Sequence, residues 1–387
     1  MNTYKLTIIV LIMAVFLVAC PGKKKPAEKQ RVVGTADWPI FRGDAGLSGR
    51  SGDTIPDELT LRWSFQTGGE IFSSPVIGSG RIFIGSTDGK VYALRLKDGG
   101  KIWEFDAGDD IEASPLLVGK SLYIGSLSGE FFALHVDSGT LNWKYKTEGS
   151  IYGSANWTEI TGSRESLIFV GSHDNRMYCF EAVSGKLRWT YETDHYINGA
   201  PATDGQVIIF GGCDENLHIV NVADGKKLAR VGVGSYIPGS AALAGGKAYL
   251  GHYGNKLVCI DMEVRKITWE YSHPEHADSF FSSPAVGKEH VVIGSRDSYL
   301  HCVNRDTGKL AWVFRTRDEV DSSPVIAGNR VVVGSTDGRL YMVDLQTGRE
   351  TWSYEIGAAI IGCPALAGGW IAIGSDDGRV YAFGESL

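Results

Sequence analysis

The 387-residue chain is short of several things. Proline is scarce, at 12 residues, and the six cysteines include no adjacent pair. Positive charge is not in surplus: 38 Lys and Arg face 45 Asp and Glu, a net of −7. A net negative chain is a poor general binder of nucleic acid. Long helical periodicity is missing beyond the first twenty residues. Glycine is what the chain has instead: 50 residues, about 13 % of the total, against an average near 7 %. These glycines follow no every-third-residue period, which excludes collagen. The 41 aromatic residues exclude a disordered glycine-rich chain. The remaining class is short buried strands joined by tight turns, with glycine supplying positive φ at the turns.

The N-terminus reads as a separate object. Lys5 precedes an apolar run, Leu6 to Ala19, that ends at Cys20. Its 14 residues fall short of the roughly 17–25 that span a bilayer as a helix. Residues 1–19 therefore read as an export signal. Leu17-Val18-Ala19-Cys20 resembles the lipobox of bacterial lipoproteins. That resemblance implies cleavage before Cys20 and acyl chains on it, a stable membrane anchor. Residues 20–37 read as a polar tether. Residues 1–37 hold six Lys/Arg and two Asp/Glu, so the −7 of the whole chain becomes −11 for residues 38–387.

The rest is a repeat. One phrase, Gly85-Ser-Thr-Asp-Gly-Lys-Val-Tyr-Ala-Leu in its first full copy, returns at Gly125, Gly171, Gly211, Gly251, Gly294, Gly334 and Gly374. The spacings are 40, 46, 40, 40, 43, 40 and 40 residues. Each unit holds four strand-like runs, in the first unit Ile71–Ile77, Arg81–Ser86, Lys90–Arg95 and Lys101–Asp106. Four short strands in about 40 residues is the period of a propeller blade. A spare fourth strand stands at residues 61–67, and the last unit stops after its third. Pairing the two removes the open edges of an array. The expectation is all-β: a single eight-bladed β-propeller over residues 38–387, closed by strand 61–67 in the last blade.

The fourth strands share a tryptophan: Trp63, Trp103, Trp143, Trp189, Trp269, Trp312 and Trp352, with Ala229 in the remaining unit. An aromatic follows two residues later in these seven, on the same strand face. They read as structural packing between blades. Asp344-Leu-Gln-Thr-Gly-Arg-Glu-Thr-Trp352 and Asn304-Arg-Asp-Thr-Gly-Lys-Leu-Ala-Trp312 resemble the tryptophan-docking motif of quinoprotein-type (PQQ-like) propellers. Asp37-Trp-Pro-Ile-Phe-Arg-Gly43 resembles the opening of exported PQQ-like repeat proteins. With the lipobox and this length, the chain is similar to lipoproteins of the BamB family. That resemblance implies a non-catalytic scaffold in the cell envelope, lipid-anchored at the outer membrane and facing the periplasm. Its implied partners are envelope proteins, with the β-barrel assembly machinery foremost, and no nucleic acid.

An enzyme is the competing class, a pyrroloquinoline-quinone dehydrogenase or sensor. Many such enzymes carry an adjacent cysteine pair beside the quinone, and none exists here. No acidic loop of calcium-binding spacing appears, and the two insertions add only six and three residues. No cofactor, metal or catalytic residue is therefore expected. Cys179, Cys259 and Cys302 replace alanines of other units and read as buried apolar side chains. His273-Pro-Glu-His276, near Asp278, reads as a solvated loop rather than a metal site. The serines of Ser73, Ser282 and Ser322 read as small axial residues. The candidate partner face lies where fourth strands lead into first strands: Asp106, Asp109, Asp110, Glu148, Asp194, His195, Glu275, Asp318 and Glu319. Charge there would steer a basic partner.

Overall fold

The computed structural model describes residues 37–160, 165–276 and 278–385. The expected signal, Cys20 and the expected tether up to residue 36 lie outside them. Eight antiparallel four-stranded sheets follow one another along the chain and form the eight-bladed propeller. Blade 1 is Val76–Gly78, Arg81–Gly85, Lys90–Arg95 and Lys101–Asp106. Blade 8 takes its inner three strands from Ala365–Ala367, Trp370–Gly374 and Arg379–Glu385, and its outer strand is Leu59–Gln66. Trp63 pairs with Ala382 and Phe65 with Val380 in that closing sheet. The closing strand thus begins two residues earlier than expected. Inner strands are also shorter than the run Ile71–Ile77 suggested, because sheet pairing begins only at Val76.

Blades meet through two repeated contacts. The glycine of the repeated phrase is one, and it works by close approach. A Cβ on Gly85 would stand 2.2 Å from Ile111 Cγ2 of the next blade, and one on Gly374 would stand 2.2 Å from Ile71 Cγ2. The same socket recurs at all eight phrase positions, receiving Ile, Phe or Val. Part of the glycine excess is therefore packing and not turn geometry. The tryptophans are the second contact. Trp63 Nε1 donates to Leu96 O of the following blade at 2.8 Å, and Trp312 Nε1 to Leu345 O at 2.8 Å. All seven indoles make this bond, ending with Trp352 on Leu59 O. Burying the ring while satisfying its N–H is the arrangement a large amphipathic side chain needs.

Residues 37–53 form a belt that crosses the ends of the inner strands and touches the blades in order. Trp38 exchanges two backbone bonds with Ile77 of blade 1. Pro39 O accepts from Leu117 N, Ala45 O from Thr203 N and Gly46 O from Leu243 N. Ser48 O accepts from Val286 N and Gly49 O from Ile326 N. Arg50–Ser51 pairs in parallel with the inner strand of blade 7. In blade 8, Gly368 N donates to Asp53 Oδ2 at 2.7 Å. Blade 3 uses a side chain: Asn156 Nδ2 reaches Ala45 O at 2.8 Å while its Oδ1 receives Trp157 N. Inner strands have one free edge facing the axis, and buried amides there need acceptors. The belt supplies them, which explains the role of an opening segment that the repeat pattern left unassigned.

Candidate functional site

The belt closes one end of the central channel. Arg42, fully buried with φ 66°, lies in the hub. Its guanidinium donates to Pro324 O at 2.6 Å and Pro284 O at 2.7 Å, and contacts Cys363 Sγ at 3.5 Å. Gly49 passes so close that a Cβ would stand 1.9 Å from Arg42 Nη2. No carboxylate pairs with this cation among the described residues. Carbonyl dipoles take that role, as a buried charge requires.

Above the plug, the hub is a ring of small residues at equivalent positions. Ser74 N donates to Ser114 Oγ at 3.0 Å, and Ser114 N to Ser154 Oγ at 3.2 Å. Ala200, Ser240 and Ser283 continue the pattern toward Ser323, and Cys363 N returns to Ser74 Oγ at 2.8 Å. Six of the eight links are made this way. These serines hold blades together, and none faces a histidine base.

The opposite end opens as a funnel of about 160 Å³, floored by Phe41. Its rim is one residue per blade, two before the hub residue. The rim runs from Phe72 through Glu112 and Tyr152, past Phe281 and Asp321, to Ile361. The connections that lead into the eight inner strands surround it. Together they hold eleven Asp/Glu and one cation, Arg317. The carboxylates named from the sequence lie dispersed in these connections, with Asp106 at the end of the strand that precedes one of them. Glu148 pairs with Arg176 and Asp194 with Arg230. Asp318, Glu275 and His195 are exposed, and Asp109 and Asp110 are half-buried. Glu319 stands 3.4 Å from Arg296. Asp106 bonds the backbone of Gly108.

The two carboxylates inside the funnel, Glu112 and Asp321, escaped sequence reasoning. Their signal was the residue after the buried Ile or Val of each connection. Asp321 receives a two-pronged pair from Arg296, at 3.0 and 2.8 Å. Glu112 has no hydrogen-bond or ion-pair partner among the described residues; burial, with Asp110 nearby, raises its pKa above the ordinary carboxylate value. Exposed tyrosines extend the face beside it: Tyr152, Tyr196, Tyr236 and Tyr253.

The His273 loop belongs to the same face. His273 Nδ1 accepts the backbone N–H groups of Glu275 and His276 at 3.2 and 3.0 Å. Burial and the neighbouring His301 and His276 depress its pKa. No group of three metal-ligating side chains is present among the described residues. The five cysteines they contain are unbridged, in four different blades and the hub.

Among solved structures, BamB from Moraxella catarrhalis aligns with TM-score 0.72 and 20 % identity, over 85 % of this chain and 98 % of its own. A europium-containing methanol dehydrogenase aligns with TM-score 0.75 and 13 % identity, over 90 % and 98 %. The quinohemoprotein alcohol dehydrogenase from Comamonas testosteroni gives 0.76 and 13 %, over 91 % and 81 %. Such identities establish the ring of blades and leave its chemistry open. Comparison with curated proteins returned no match. A family model described as outer membrane protein assembly factor BamB matches residues 57–155, 146–276 and 213–360. The chain therefore belongs to the BamB family.

Proposed function

We propose that the protein is a non-catalytic scaffold of the bacterial envelope that docks partner proteins on its open face. The acidic connections around the funnel carry this reading: they hold eleven carboxylates against one arginine, four of the carboxylates being met by Arg176, Arg230 and Arg296 from neighbouring strands and turns, around a mouth whose far end the chain itself has sealed. Membership of a family described as an outer membrane protein assembly factor supports a place in outer-membrane β-barrel assembly. A lipid on Cys20 would hold the ring at the outer membrane, facing the periplasm. Charged rim loops such as Asp109–Asp110 and Asp318–Glu319 would speed encounter with a basic partner and set its orientation. Photo-crosslinkers placed at Tyr196 and Asp318, and separately at Lys120 and Lys288 on the belted face, test this in native membranes. Barrel-assembly subunits should be captured from the open face only. Equal capture from both faces, or only unrelated proteins, would overturn it.

The quinone reading fits the funnel poorly. About 160 Å³ lies below the roughly 300–1,000 Å³ of sites that enclose a ligand of that size. The rim has no cysteine pair, and one of its two carboxylates is already held by Arg296. Titration with the quinone and calcium should give no saturable signal.

A further inference from the structure

The funnel rim repeats one small device, and one copy of it is incomplete. Three times around the ring an aromatic on one blade precedes a polar acceptor on the next: Phe72 then Glu112, Tyr152 then Asn198, Phe281 then Asp321. Between them stands a residue from the turn joining the two central strands of the first blade, at equivalent positions Thr87, His173 and Arg296. In two copies that residue bridges the pair. The Arg296 guanidinium lies 3.9 Å from the Phe281 ring centroid and binds Asp321 with both prongs. The His173 ring packs on Tyr152 with centroids 4.4 Å apart, and its Nε2 meets Asn198 Oδ1 at 2.9 Å. In the third copy the bridging residue is Thr87, whose Oγ turns to Glu70 O. Threonine is too short to bridge. Phe72 takes part in no ring or cation contact among the described residues, and Glu112 keeps a half-buried carboxylate without a counter-charge.

A desolvated, unpaired carboxylate is unfavourable for the fold alone. It becomes useful when a cation arrives from outside. The completed copy at Phe281 and Asp321 shows which cation fits, since a planar guanidinium can both stack on a ring and take two carboxylate oxygens. Tyr152, the neighbouring rim residue, adds a second aromatic wall beside Glu112. We propose that Phe72 and Glu112 receive an arginine side chain of a partner protein, inserted into the funnel as Arg296 is inserted on the opposite side. This rests on the docking role of the open face and names the anchor of that docking. The acidic connections around the rim give the electrostatic match for the basic segment that would carry the arginine.

The experiment completes the third copy from within. Thr87→Arg should fill the Phe72–Glu112 pair in cis, and Glu112→Gln should remove its charge. Both variants should keep the cooperative unfolding of the parent. The probe is the peptide acetyl-Gly-Ser-Arg-Ser-Gly-amide, with a citrulline peptide as its neutral twin, titrated in low salt and followed by peptide-observed NMR. The arginine peptide should bind saturably and at least tenfold more tightly than the citrulline peptide. Each variant should lose at least tenfold. Equal binding of the two peptides, unchanged binding by both variants, or no saturable binding to the parent would overturn the proposal. Crosslinking separates the two levels. If open-face capture of assembly subunits survives undiminished in Thr87→Arg, docking stands and the arginine anchor falls. If the parent captures none while the peptide result holds, the anchor stands and the assembly role falls.

Discussion

The two faces of the ring are built from the same eight repeats and end differently. On the belted face, residues 37–53 reach all eight blades and give the inner edges their hydrogen-bond partners. On the open face the chain leaves a funnel, a run of exposed tyrosines and an unpaired carboxylate. On the sealed face the chain supplies most of its own partners, although the buried Arg42 Nε has none. The open face keeps groups, Glu112 first among them, that find no counter-charge among the described residues. Under the docking proposal, stability and recognition lie on opposite faces of one ring.

Substitutions should tell the faces apart. The largest loss is expected at the plug. Arg42→Met keeps the side-chain length but orphans Pro284 O and Pro324 O, a cost of about 3 kcal/mol readable as a lower urea midpoint with unchanged slope. Asn156→Ala comes next. It removes the amide that donates to both Ala45 O and Pro201 O, and the acceptor of Trp157 N, about 2 kcal/mol by the same measurement. The smallest effect, with the opposite sign, belongs to the open face. Burial raises the folded pKa of Glu112 above its unfolded value. Its contribution to stability is therefore full at low pH and is lost as pH rises through the folded value. Glu112→Gln should raise Tm at pH 7 by about 1 °C, and the gain should vanish near pH 3.5. A loss at pH 7 would place Glu112 among the structural groups and erase the contrast between the faces.

Sameness was legible in the sequence, and difference was not. The blade count and ring closure followed from eight phrases and seven tryptophans, because one packing problem recurs and is solved by the same residue types. The belt left almost no pattern, since it engages the blades mainly through its backbone carbonyls, which any sequence possesses. Arg42 is a lone charge after the apolar stretch Trp38 to Phe41, and only the fold reveals it as buried. The funnel was hidden for a related reason. Glu112, Tyr152 and Asp321 occupy one repeat position that changes from blade to blade, so a search for recurrence passes over it. The exposed charges of the connections were found because loops expose charge by default. The rim residue sits one step beyond a buried Ile or Val, and only convergence on the axis makes it a neighbour of its counterparts.

The belt also sets the order of assembly. Residues 37–53 leave the ribosome before any blade, yet their hydrogen-bond partners extend to blade 8, and Leu59–Gln66 waits for Arg379–Glu385. Neither segment can find its seat until nearly the whole chain is available. Contacts spanning more than 300 residues make ring closure a late step in folding. A chain of this design keeps its ring open until the strands of the last blade have been made.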